Sequence, residues 1–472
     1  MLRRVIYLAI LALTIGVVSL GMHGASLWDS AIVSDVTGTD VRETIVGREN
    51  RSQVARQVMP RNGQEDEGET VSCDELQHAI TLAGEYLVNV NRPDGQFVYR
   101  QYLEQRSEPK RKYNMLRHAG TLYALARYFR CQPKHATWDV LMRGNRFMRQ
   151  AIRSLPAHPE KYALWSEVSV TGQRGQAVAK LGGTGLALVA MASIHQIDAR
   201  VVSLQEMQRL ASFLCYMQKP NGSFHSKYFS TAQGRSDNFV SLYYPGEATL
   251  GLIMLYQIDS NPKWLQAAIE SLTYLAQKRR GQKRLEADHW SLLATAELMK
   301  CGSIPDCPGE LEPDGLFIDH AVRICSSILS CQPRLLPGTS EYGGFVKDGR
   351  TCPTSTRLEG LIACRTWLPE SHFHPDARWE RAVLQGIRFV LRSQIKSGRL
   401  LGGIPRAIKR WPEGNLNFNP SFNRRVGEVR IDYVQHALSA LISYNEYIYC
   451  DKCQRDVASY ERPAKIESTL DL

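Results

Sequence analysis

The chain has 472 residues, 43% hydrophobic and 22% charged, proportions of a globular protein and too apolar for a disordered one. A body of this length can bury a large core without metals or disulfides. The net charge of +11 and a pI near 9.1 favour anionic partners, but no compact basic run with interleaved aromatics occurs, which argues against a nucleic-acid ligand.

Arg3 and Arg4 precede an uncharged apolar run from Val5 to about Met22. The run reaches the roughly 17–25 residues that span a bilayer. Residues 1–27 are therefore expected to be a signal anchor or signal peptide. An uncleaved anchor is favoured, because Gly24-Ala25-Ser26 is not a clean small-x-small cleavage site. Basic residues ahead of the run place the body outside the cytosol, periplasmic or extracellular, with the membrane as one partner. Residues 28–72 are polar, lack apolar periodicity and read as a flexible linker. The folded body is assigned to 73–455 and a polar tail to 456–472.

Within the body two kinds of helical segment alternate. The first is amphipathic, with apolar residues at steps of three and four: Leu76–Val90, Arg143–Leu155, Glu206–Gln218, Trp264–Lys278, Leu316–Cys331 and Trp379–Gln394. The second is apolar around most of its circumference and rich in small residues: Leu116–Leu125, Leu181–Ala190, Tyr244–Leu252, Asp288–Ala294, Arg357–Ala363 and Asp432–Leu441. A helix of the second kind is buried on most sides. Six outer helices alternating with six inner ones predict an all-α (α/α)6 toroid. Short loops after outer segments carry Asp94-Gly95-Gln96-Phe97, Asn221-Gly222-Ser223-Phe224, Tyr342-Gly343-Gly344-Phe345 and, more loosely, Leu401-Gly402-Gly403-Ile404. Glycine there supplies the positive φ of a sharp reversal, and the following apolar side chain can pack back on the core.

The chain has 11 cysteines, and Cys301 with Cys307, Cys325 with Cys331, and Cys450 with Cys453 are close enough in sequence to consider as pairs. Cys450-x-x-Cys453 reads as a structural thiol pair, since no second CxxC or paired histidine accompanies it. No metal or cofactor is expected: P-loop, dinucleotide-binding and HExxH motifs are all missing from the sequence.

Six hairpins joined by DG-x-F or NG-x-F loops resemble the six-hairpin glycosidase and terpenoid-cyclase toroid superfamily, over roughly residues 73–450. The resemblance implies a cavity where the inner-helix N-termini converge. It does not select one chemistry, because members include glycoside hydrolases, sugar epimerases, polysaccharide lyases and cyclases. Neither a DxDD nor a DDxxD run is present, which disfavours a cyclase.

Polar residues near those N-termini are the candidate site. Glu247, Glu359, Asp432 and Asp288 are the candidate catalytic carboxyls, and His436 and His289 the candidate bases. Each acid could instead complement a helix dipole, and Glu359 could belong to a capping box with Ser355 or Thr356. Asp432 and His436 are four apart and share a helix face. Arg117 and Arg357 are suited to a substrate carboxylate. His118, Tyr99, Tyr243, Tyr244, Trp290 and Tyr342 complete the expected substrate-binding set. The reading is an exported carbohydrate-active enzyme whose partner is a glycan or acidic polysaccharide. Hydrolysis by paired carboxyls is placed first, as the commonest chemistry on this architecture. A uronic-acid epimerase or polysaccharide lyase using His, Tyr and Arg is the second reading, and a non-catalytic glycan-binding or assembly protein the third.

Overall fold

The computed structural model describes residues 70–104, 113–172, 175–231, 234–301, 313–369, 372 and 378–457. The apolar run at Val5–Met22, nearly all of the linker and the tail beyond 457 lie outside them. Among the described residues no helix is long and apolar enough to cross a membrane.

Six helices form the inner ring: α2 (Met115–Cys131), α5 (Leu181–His195), α7 (Tyr244–Asp259), α9 (His289–Met299), α11 (Thr351–Arg365) and α14 (Ile431–Val457). Each packs on the next, and α14 returns to α2, so the ring closes. Glycines set how closely these helices approach. A Cβ on Gly185 would lie 2.7 Å from the Ala248 backbone, and one on Gly246 2.6 Å from the Ser291 nitrogen. Real side chains cannot make such contacts, so the small residues read from the sequence are what let the ring draw tight.

The outer helices are α1 (Cys73–Asn89), α3 (His135–Gln150), α6 (Leu204–Met217), α8 (Pro262–Arg279), α10 (Pro313–Cys331) and α12 (Arg378–Ser393). One device repeats around them. The loop glycines Gly95, Gly222, Gly343 and Gly402 all have φ between +81° and +88°. Each lies against a carbonyl of the next outer helix, at Arg143, Glu270, Gln385 and Leu82, where an added Cβ would come within 1.9–2.3 Å of the oxygen. Glutamines at the ends of α6, α10 and α12 seal the same junctions. Nε2 of Gln218, Gln332 and Gln394 donates to the carbonyls of Ala267, Ala382 and Ala79 at 2.8, 3.1 and 2.9 Å. The last of these, together with Gly402, joins the final outer helix to the first and closes the toroid.

Two expectations are corrected. The segment read as an outer helix over Arg143–Leu155 ends at Gln150, and Ile152–Leu155 is strand β2. Pro156 disfavours helix at Leu155, and the chain turns back into β3 (His158–Ser166). The body is accordingly not purely helical. Strands β2, β3, β4 (Val178–Lys180), β5 (Lys227–Phe229) and β6 (Arg235–Ser236) form an antiparallel sheet in that order. A shorter ribbon pairs β1 (Arg100–Tyr102) with β7 (Glu428–Arg430), the strand leading into α14. Two short helices, α4 (Val168–Thr171) and α13 (Pro420–Asn423), complete the elements. The thiols of Cys325 and Cys331 are both free, while Cys307 and the side chains of Cys450 and Cys453 lie outside the described residues.

Candidate active site

The structure brings six of the sequence candidates together: Tyr243 and Glu247 of the α7 start, His289 and Trp290 of the α9 start, Glu359 of α11 and His436 of α14. The His289 ring lies 5.2 Å from Tyr243, 4.9 Å from Trp290 and 5.4 Å from His436, centroid to centroid. Trp290 in turn meets the His436 ring at 6.1 Å.

Glu359 is not a cap. Helix α11 begins at Thr351, with Pro353 tolerated in its first turn, so Glu359 stands two turns inside. Ser355 and Thr356 bond back to the carbonyls of Thr351 and Pro353 instead of capping. From that depth Glu359 Oε1 meets His436 Nδ1 at 2.7 Å. Burial pushes the Glu359 carboxyl above its ordinary range, and the neighbouring imidazole opposes the rise.

His289 is 2% exposed, and neither ring nitrogen has a hydrogen-bond partner. Burial, reinforced by His436, drives its pKa well below 6.5, so the ring is neutral. A neutral imidazole with an unmet N–H is a donor available to a ligand oxygen.

Glu247 is 3% exposed and its Oε2 also lacks a partner. It occupies space left by Gly182 of α5, where a Cβ would stand 1.9 Å from Oε2. Burial, with the Asp288 charge adding to it, raises its pKa to about 8, so the group is a carboxylic acid at neutral pH.

The other two acids are already engaged. Asp288 caps α9 through Ser291 N and forms a buried ion pair with Arg279 at 2.6 Å. Asp432 receives a bidentate pair from Arg430, at 2.9 and 2.7 Å, and Nε of Arg117 at 3.1 Å. Burial alone would raise its carboxyl, but the two guanidinium groups prevail and hold it well below the usual range. Arg117 also donates to the Tyr99 hydroxyl. Beside this group Glu428 takes Arg425 and the Tyr433 hydroxyl. Arg430, Glu428 and Arg425 were not among the sequence candidates; the alternating charged and apolar run from Arg425 to Asp432 was the available signal.

Four further candidates make their contacts with residues outside the His289 ring cluster. His118 is fully buried, with Nδ1 on the Tyr113 hydroxyl at 2.7 Å and Nε2 on the Gly144 carbonyl at 2.9 Å, and burial lowers its pKa to about 4. Those bonds tie α2 to α3. Tyr342 accepts from Gln385 of α12 and faces the outer helices. Tyr244 is buried against Phe239 and beside Gly182. Arg357 is 8% exposed and donates to the Phe345 carbonyl at 2.9 Å.

No family model matches the sequence, and no curated protein matches it. Solved structures share the fold. An alpha-1,6-mannanase from Salegentibacter sp. superposes with a TM-score of 0.51 at 12% identity, over 78% of this chain and 98% of that one. A D-mannose isomerase gives 0.56 at 11% identity, over 80% and 100%. The cellobiose 2-epimerase of Bacillus thermoamylovorans gives 0.55 at 9% identity, over 78% and 98%. At these identities the likeness establishes the six-hairpin (α/α)6 toroid and nothing finer.

Proposed function

We propose that the protein is a carbohydrate-active enzyme, held outside the cytosol, whose chemistry is proton transfer at a sugar carbon beside a carbonyl or carboxyl group. The observation that carries this reading is the Glu359–His436 pair at 2.7 Å. A carboxylate accepting from Nδ1 fixes the tautomer and leaves Nε2 with a free lone pair, the arrangement of an oriented general base. The His436 side chain is 11% exposed and its carboxylate partner 2%, so base and orienting group are separated by depth.

In the reaction, Nε2 removes the proton and the C–H electron pair moves into the adjacent C=O, giving an enolate-like intermediate. Neutral His289 donates an N–H to the developing oxyanion. A donor of this kind stabilises charge that forms only in the transition state. Return of the proton to carbon gives an epimer or an isomer, and loss of a leaving group from the next carbon gives an unsaturated sugar. Two structural neighbours are by name a sugar isomerase and a sugar epimerase, and the placement outside the cytosol rests on the apolar run behind Arg3 and Arg4.

Hydrolysis is supported by one group, the protonated Glu247. Paired-carboxyl hydrolysis needs a second carboxyl free to act, roughly 5–5.5 Å away for retention or 6.5–9.5 Å for inversion. Asp288 and Asp432 are tied to arginines and Glu359 to His436, so the side-chain partners favour proton transfer. The test is incubation of the protein with neutral and acidic oligosaccharides in deuterated water. Deuterium in recovered sugar, or absorbance near 235 nm, is expected. New reducing ends with neither signal would establish hydrolysis, and glycan binding with no reaction would establish the binding role.

A further inference from the structure

We propose that the substrate is an acidic sugar and that Arg357 receives its carboxylate, an assignment that rests on the proton-transfer reading above. Arg357 differs from three other buried arginines. Arg127, Arg279 and Arg430, each 8–9% exposed, face Glu446, Asp288 and Asp432 at 2.6–2.7 Å. Arg357, at 8%, has the neutral Phe345 carbonyl as its hydrogen-bond partner, and among the described residues no carboxylate lies within ion-pair distance of it. A buried guanidinium without an anion is costly to the fold, and burial lowers its proton affinity accordingly. An anion arriving from outside would relieve that cost.

Its position matches the chemistry. Arg357 and Gly360 are three residues apart on α11 and share a face. A Cβ on Gly360 would lie 3.2 Å from the Cβ of His289, so this face of α11 looks toward His289. Arg357 stands one turn nearer the helix N-terminus, the end at which the α7 and α9 starts also gather. The Tyr243 hydroxyl, whose ring packs on His289, feels the Arg357 charge. Glu359, rotated to the neighbouring face, holds His436. One helix thus carries both the Arg357 cation and the carboxylate that positions the base.

A carboxylate also needs such a cation in order to react. Removing a proton from the carbon that bears it places a second negative charge on the same group, and a guanidinium already paired with the first lowers that barrier. Arginine's planar fork suits a carboxylate in two-point contact. A uronosyl residue, with its carboxylate on the carbon that loses the proton, meets both requirements. The overall charge of +11 would draw a polymer of such residues.

The experiment is calorimetric titration of the full-length protein with oligosaccharides bearing glucuronosyl or galacturonosyl residues, and with the same oligosaccharides after reduction of the carboxyl to a hydroxymethyl group. Wild type is expected to bind at least one acidic form about tenfold or more tightly than its reduced counterpart, the worth of one charged contact. Arg357→Gln should remove that preference while leaving binding of the reduced form unchanged, and Arg357→Lys should keep part of it. Equal binding of both forms by wild type, no binding of any acidic probe, or a preference that survives in Arg357→Gln overturns the assignment. Should Arg357→Gln not fold, the wild-type comparison and the lysine variant decide. Deuterium uptake measured in parallel separates the two proposals. Acid preference with neither deuterium uptake nor absorbance near 235 nm sinks proton transfer and keeps an acid-binding site, whereas equal uptake on acidic and reduced sugars sinks this assignment alone.

Discussion

Replacing Glu247 by glutamine tests whether its carboxyl is held protonated inside the ring. The group has no hydrogen-bond partner at Oε2, and its pKa rises from an ordinary 4.5 to about 8 in the folded protein. Between those values the native state binds a proton that the unfolded chain has released, so stability must fall as pH rises through that window. At roughly 1.4 kcal/mol for each tenfold in proton affinity, the fall reaches about 5 kcal/mol. That figure is an upper one, because water entering around an ionised carboxylate reduces the cost. Glutamine has nearly the same shape and does not titrate. The check is urea denaturation of wild type and Glu247→Gln at intervals from pH 5 to pH 9. The variant should match wild type within about 1–2 kcal/mol at pH 5 and exceed it at pH 9. Parallel stability curves across the whole range would mean that Glu247 ionises normally and is not held protonated.

Other residues give equally specific expectations. Asp432→Asn removes the charge that Arg430 and Arg117 share and should destabilise by about 3–5 kcal/mol, read as a fall in denaturation midpoint. Because the carboxyl's pKa is depressed in the native state, wild type should lose this contribution as pH falls below the ordinary carboxylate range, and the variant should lack that acid-dependent loss. Gly343→Ala puts a Cβ 2.2 Å from the Gln385 carbonyl at a φ of +84°, and should cost about 1–3 kcal/mol by thermal denaturation. Glu359→Gln keeps a hydrogen-bond acceptor for His436 but replaces the carboxylate that orients it with a neutral amide. Proton exchange should fall on the order of 100-fold with the fold retained by circular dichroism.

The toroid was legible because its two kinds of helix leave different marks. Amphipathic period and small-residue apolar runs located the twelve helices of the two rings, though not the short α4 and α13, and the loop glycines at 95, 222, 343 and 402 announced the reversals that the structure places against neighbouring helix carbonyls. The five-stranded sheet was not legible. Its strands are short, separated in sequence and interleaved with α5 and α6, and Ile152–Leu155 continues the apolar spacing of the preceding helix. Within the site, residue types near inner-helix starts pointed to Glu247, His289 and His436. Partners did not follow from spacing, because they come from distant segments. Asp432 shares a face with His436 in sequence, yet its charge goes to Arg430 and Arg117, while His436 takes Glu359 from another helix. His118 opens an inner helix as His289 opens another, but Tyr113 and the Gly144 carbonyl occupy both of its nitrogens.

In the proposed chemistry His436, held by Glu359, moves a proton on a sugar carbon. The most direct test is the rate of deuterium entry into recovered sugar, followed by mass spectrometry with reducing ends counted in the same samples, for wild type and His436→Asn. Wild type is expected to place deuterium on carbon, or to raise absorbance near 235 nm where a leaving group departs, and His436→Asn to abolish whichever signal wild type gives. Reducing ends that form without deuterium, unaffected by His436→Asn and lost in Glu247→Gln, would contradict that chemistry.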